Sequence, residues 1–103
     1  MKFKLGNAEF EIRFEHTNIP EEDERNSAAF LYASPSHKDS PYLAVGAGYC
    51  HPRDNFCRAV GRRVALTRLI KEMKDKSFIL SKEDSRIIWD IYFKTFKKGK
   101  LHA

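Results

Sequence analysis

The chain lacks most of what would place it outside a reducing compartment or inside a membrane. Its only cysteines are Cys50 and Cys57, whereas a small secreted domain usually depends on several bridges. With no signal peptide read at its start, this predicts a cytosolic protein. No apolar run approaches the roughly 18 to 20 residues needed to span a bilayer, so no membrane span is expected. There is no Walker-type glycine loop. Gly46-x-Gly48 fails as a dinucleotide fingerprint, because the third glycine position is His51. Cys50, His51 and Cys57 fall short of a four-ligand zinc set. A Cys–His nucleophile would also need an orienting group and an oxyanion site that nothing marks, and no paired carboxylates stand out on an apolar cleft. The expectation is a protein that is not an enzyme and carries no cofactor.

What is present fits one domain, 1–103, large enough for a single core. The net charge is +5 and the excess is uneven: Glu21, Glu22, Asp23 and Glu24 come early, while lysines and arginines crowd the chain from Arg53 onward. This suits an anionic partner. The lysines at 71, 74, 76, 94, 97, 98 and 100 read equally well as solvated helix faces.

Period-two alternation of Phe3 and Leu5, then Phe10, Ile12 and Phe14, predicts strands turning at Gly6-Asn7-Ala8. Thr17 to Asn26, with Pro20 and four consecutive acids, is expected to be an exposed loop. Ala28 to Ala33 suits a central strand, and Ser34 to Pro41 a second loop. In Tyr42 to Cys50, parity puts Leu43, Val45, Ala47 and Tyr49 on a bulky face. The other face, with Ala44, Gly46 and Gly48, is nearly flat. Glycine inside a strand marks a close approach to the backbone, by a helix, a second subunit or a ligand.

The remainder reads as helix. His51-Pro52 suits a helix start, Asp54 is a second candidate cap, and a long helix is expected over 51–76. At about 100° per residue, Leu66, Leu69, Ile70 and Met73 share one side, with Phe56, Val60 and Val64 roughly opposite. Two apolar faces on one helix predict an oligomer, a dimer or higher. Ser81-Lys82-Glu83-Asp84 resembles a capping box, opening a second helix over 81–98 with Ile88, Ile91, Tyr92 and Phe96 inward and Trp89 with Phe93 as candidates for a subunit contact. The predicted fold is α+β: an antiparallel N-terminal β-sheet, a meander over 1–50, packed with two C-terminal helices.

Between the two faces of the long helix runs a strip of Arg58, Gly61, Arg62, Ala65 and Arg68, with Asn55 near its N-terminal end. Arginine pairs bidentately with phosphate and stacks on bases, and a helix start offers free N–H groups to a pyrophosphate. The candidate ligand-binding residues are therefore His51, Asp54, Asn55, Arg58, Arg62 and Arg68, placed where the helix start meets the flat Gly46/Gly48 face.

The run Gly48-x-Cys50-His51-Pro52-x-Asp54-x-Phe56, followed by Gly61-Arg62-Arg63-x-Ala65-Leu66-x-Arg68-Leu69, resembles the C-terminal half of small phage proteins of the Thoeris anti-defence sponge family. The resemblance covers about half the chain. It implies a sheet packed with helices, oligomeric assembly with ligands at subunit interfaces, and sequestration, without cleavage, of cyclic ADP-ribose-type signals or cyclic oligonucleotides. It also implies ligand contacts at His51 and Arg68, and a location in the cytoplasm of an infected bacterium. The competing expectation is a basic phage inhibitor that binds nucleic acid or a host protein complex. A small phosphoesterase and a structural protein without a ligand are the remaining readings.

Overall fold

The alternation in the first third forms a hairpin of β1 (Lys2–Leu5) and β2 (Ala8–Ile19), in register Phe3↔Phe10 and Leu5↔Ala8. Its two-residue turn has a positive φ of 63° at Gly6 alone, the backbone of a II′ hairpin turn that glycine adopts without a Cβ penalty. β2 then pairs with β3 (Glu24–Ala33), and β3 with β4 (Ala44–Cys50). The result is a four-stranded antiparallel sheet in chain order, β1-β2-β3-β4. The computed structural model describes residues 1–19, 24–50 and 58–96, and for residues 17–19, 24, 25, 49, 50 and 58 the backbone only.

One expectation is corrected here. Thr17 to Asn26 is not a loop throughout, because the β2–β3 ladder continues through Thr17↔Asn26 and Asn18↔Arg25 to Ile19↔Glu24. Backbone pairing needs N–H and C=O groups, not apolar side chains, so the ladder outlasts the alternation that advertises it.

Two helices follow, α1 (Arg58–Asp75) and α2 (Lys82–Thr95). α1 ends in a Schellman arrangement: Ser77 has φ 63°, its N–H bonds Lys74 O, and Phe78 N–H reaches back to Met73 O at 2.8 Å. α2 begins at Ser81, whose hydroxyl accepts from Asp84 N. The Asp84 carboxylate accepts from Leu80 N–H at 3.0 Å, one residue before the partner that a full capping box would give it.

Both helices cover the same side of the sheet. Phe3, Phe10, Ile12, Leu31 and Ala44 are buried there against Leu66, Leu69, Ile70 and Met73 of α1 and Ile88 and Tyr92 of α2. Phe14 of β2 meets both Tyr92 and Phe96 edge-on. The predicted inward side of α1 is thus the buried one. Its opposite side is open in the protomer, with Val60 48% and Val64 37% exposed; Phe56 lies outside the described residues. Among the described residues, no helix is long and apolar enough to cross a membrane.

Among the described residues, the other face of the sheet carries no helix. A polar cluster sits on it: Arg13 Nη2 donates to Ser36 Oγ at 2.5 Å, Ser36 donates to Glu11 Oε1 at 2.5 Å, and the Arg13 guanidinium lies 4.6 Å from the Tyr32 ring centroid. The Ser36 hydrogen bond draws the Glu11 carboxyl below its usual value; burial opposes the shift and the Arg13 charge reinforces it.

Candidate functional site

Of the six candidate residues, His51, Asp54 and Asn55 lie outside the described residues, and Arg58 is described by its backbone alone, as the first residue of α1. Arg62 and Arg68 are placed, and they diverge. The Arg62 guanidinium lies over the Phe96 ring, 4.2 Å from its centroid, a cation–π contact that ties α1 to the end of α2. Its Nε is shut off from solvent and has no hydrogen-bond partner among the described residues. Arg68 points the other way, its Nη1 donating to the Ala47 carbonyl of β4 at 2.6 Å.

Glycines in β4 were expected to mark a close approach to the backbone, by a helix, a second subunit or a ligand. At Gly46 and Gly48 that approach is made by α1. A Cβ built on Gly46 would run into Leu69 N and Ala65 O and lie 2.7 Å from Leu69 Cα, and one on Gly48 would lie 2.8 Å from Val64 Cγ1. The flat strand face is flat because the backbone of α1 rests on it, so the described part of the strip is a seam between helix and strand, with an arginine on each flank.

Arg68 does not pair with Glu72, the carboxylate one turn further on. Glu72 is met by Lys76 at 3.6 Å, and Lys76 Nζ also donates to Leu43 O at 3.1 Å. Among the described residues, β4 has a neighbouring strand on one side only. Arg68 on α1 and Lys76 just past its end bond carbonyls in and just before this strand and set positive charge along it, a common protection against edge pairing.

A different concavity lies between α1 and α2. It is a groove of about 280 Å³ lined by Thr67, Ile70, Lys71 and Lys74 of α1 and by Ser85 and Trp89 of α2. Lys71 and Lys74 are exposed, and the ion pairs among the described residues, Lys4–Glu9, Arg13–Glu11, Lys76–Glu72 and Arg86–Glu83, use neither. The Trp89 ring stacks with Phe93, centroids 5.8 Å apart and planes 26° apart. Sequence reasoning treated these lysines as solvated and missed the groove, whose walls come from two helices that no local pattern brings together.

Fold and surface define an α+β protein, a four-stranded antiparallel meander covered on one face by two helices. Compared with protein-family models, with curated proteins and with solved structures, the chain matches none. Among the described residues, no three His, Cys, Asp or Glu side chains are grouped to hold a metal ion.

Proposed function

We propose that this protein binds a cyclic nucleotide immune signal, a cyclic ADP-ribose isomer or a cyclic oligonucleotide, and sequesters it without cleaving it in the cytoplasm of an infected bacterium. One observation carries the reading. The outer side of the helix layer sets Lys71 and Lys74, which pair with no carboxylate among the described residues, beside the stacked Trp89–Phe93 rings, which joins charge for phosphate to flat surface for a base. The resemblance of the Gly48 to Leu69 region to the sponge family supports the same class of ligand and adds His51 and Arg68 as contacts. Arg68 suits that role, since its exposed guanidinium spends one N–H on Ala47 and has others to offer an anion.

Assembly into a dimer or higher oligomer belongs to this reading and is supported by the open Val60/Val64 side of α1. The test has two parts. Cyclic ADP-ribose isomers and cyclic di- and trinucleotides are screened by thermal shift, where a cognate ligand should raise the melting temperature by linkage. Ligand released by denaturation is then chromatographed: intact ligand is expected, and linear or hydrolysed product overturns the non-enzymatic assignment. Tight binding of long DNA or RNA strands that falls steeply with salt, with no shift from any cyclic nucleotide, would favour the nucleic-acid reading instead.

A further inference from the structure

The inter-helix groove has contents that packing does not account for. Ser85 Oγ, on its α2 wall, is shut off from solvent and has no hydrogen-bond partner among the described residues. A hydroxyl left in that state is unfavourable, because it has given up water without gaining a partner. Rotation of the side chain about χ1 to bring the hydroxyl into the groove, where a bound group can meet it, would relieve this. Across the groove, Thr67 donates its own hydroxyl proton to Arg63 O at 2.8 Å, so its oxygen faces any newcomer as an acceptor. The floor is the buried Ile70 and the wall beside Ser85 is the Trp89 indole. Lys71 and Lys74 stand at the rim. One apolar floor, one indole, two hydroxyl oxygens and two ammonium groups are the complement of a flat heteroaromatic ring carrying a sugar and a phosphate.

Size narrows the choice. Sites that enclose a whole drug-sized ligand run from about 300 to 1,000 Å³, and this groove, at about 280 Å³, sits just under that range. It has room for one nucleoside phosphate, not for an entire cyclic oligonucleotide.

We infer that the groove between α1 and α2 is a mononucleotide-sized subsite, with Lys71 and Lys74 holding a phosphate, Trp89 lying against the base, and Ser85 bonding a polar group of the base or sugar. The inference rests on the reading of this chain as a nucleotide binder, and it adds a second contact region, on the far side of the α1 crest from Arg68. A ligand with two or more nucleotide units occupies this groove with one unit and leaves the others for the Arg68 flank or for a neighbouring copy.

The sequence contains a single tryptophan, Trp89, so its fluorescence reports on this groove. The full chain is titrated with adenosine 5′-monophosphate, adenosine and inorganic phosphate, and separately with a thymidine oligomer. Saturable quenching by the monophosphate is expected, with adenosine and phosphate each weaker by about tenfold, the effect of losing one set of charge-assisted or stacking contacts. The double variant Lys71→Ala/Lys74→Ala should bind the monophosphate about tenfold or more weakly with an unchanged melting temperature, since both side chains are exposed. Ser85→Ala should weaken it less. Monophosphate binding that is undiminished in the double variant overturns the subsite, as does quenching by the thymidine oligomer alone with a steep salt dependence. A thermal shift with a cyclic nucleotide that survives intact in the double variant also overturns the groove, while leaving the sequestration reading in place. Monophosphate binding that the double variant loses, with no response to any cyclic nucleotide, upholds the groove and removes sequestration.

Discussion

Arg68 of α1 and Ala47 of β4 are joined by a 2.6 Å hydrogen bond from guanidinium to backbone carbonyl. That bond gives one residue two duties: it closes the free edge of the sheet and presents charge where a ligand is proposed to bind. Arg68→Ala is expected to lower stability by about 0.5 to 1.5 kcal/mol, the net value of a typical hydrogen bond, and to speed amide exchange along β4. It should also weaken the cognate cyclic nucleotide by about tenfold or more, as loss of a charge-assisted bond of roughly 1.5 to 3 kcal/mol would. Calorimetric titration beside urea denaturation separates the two. Unchanged affinity with faster exchange would leave Arg68 with its structural duty alone.

The two glycines of β4 should respond unequally to a side chain. At Gly46 the obstacle is the backbone of α1 at Ala65 and Leu69, which cannot turn aside, whereas at Gly48 it is a methyl of the partly exposed Val64. Gly46→Val is expected to be destabilising by about 3 kcal/mol or more, at or beyond the usual range for overpacking. Gly48→Ala should lose less, about 1 to 2 kcal/mol, because the obstacle is one side chain, whose methyl can yield although its Cβ stays in tight contact at 3.3 Å. Denaturation midpoints decide, and equal effects would mean that α1 shifts as a body.

Acid should remove one contribution that Glu11 makes. Its carboxyl is held below the usual range by the Ser36 hydroxyl, against burial and with help from Arg13. A depressed folded-state value adds stability above the unfolded pKa, and that stability is lost as pH falls through the folded value. The parent should therefore lose more stability than Glu11→Gln on going from about pH 5 to pH 3, as read by urea midpoints at each pH. Parallel profiles would show that the cluster with Ser36 and Arg13 is energetically neutral.

Assembly can be probed on the open side of α1. Val60 is nearly half exposed and Val64 more than a third, so Val60→Glu should leave the protomer folded while dissociating an oligomer that uses this side. Light scattering at micromolar concentration is the measurement, and a monomeric parent would remove the proposal.

Much of the fold was legible because periodicity survives folding. The alternation of Phe3, Leu5, Phe10 and Ile12 gave the buried strand positions, and the spacing of Leu66, Leu69, Ile70 and Met73 gave the inner side of α1. Parity also separated the two faces of β4, yet the flat face with Ala44, Gly46 and Gly48 proved to be the buried one, since a strand met by a helix backbone needs absence of bulk more than hydrophobicity. The candidate site was harder. Small residues at 46, 48, 61 and 65 announce that something comes close, but a helix, a subunit and a ligand leave the same mark. Lys71, Lys74, Ser85 and Trp89 carry no shared spacing, because they belong to two helices and meet only across a tertiary groove.

All four strands precede both helices in the chain, and this order bears on how the protein is made. During synthesis the side of the sheet holding Phe3, Phe10, Ile12 and Leu31 emerges before the two helices that shield it, and exposed apolar surface of this kind invites chaperones and aggregation. Ribosome-bound chains exposing residues up to Cys50 should be readily cleaved by added protease. Resistance of β3 and β4 is expected first at the length that frees Asp75, when α1 can settle on Gly46 and Gly48. Protection already present at the shorter length would show that the sheet stands unaided.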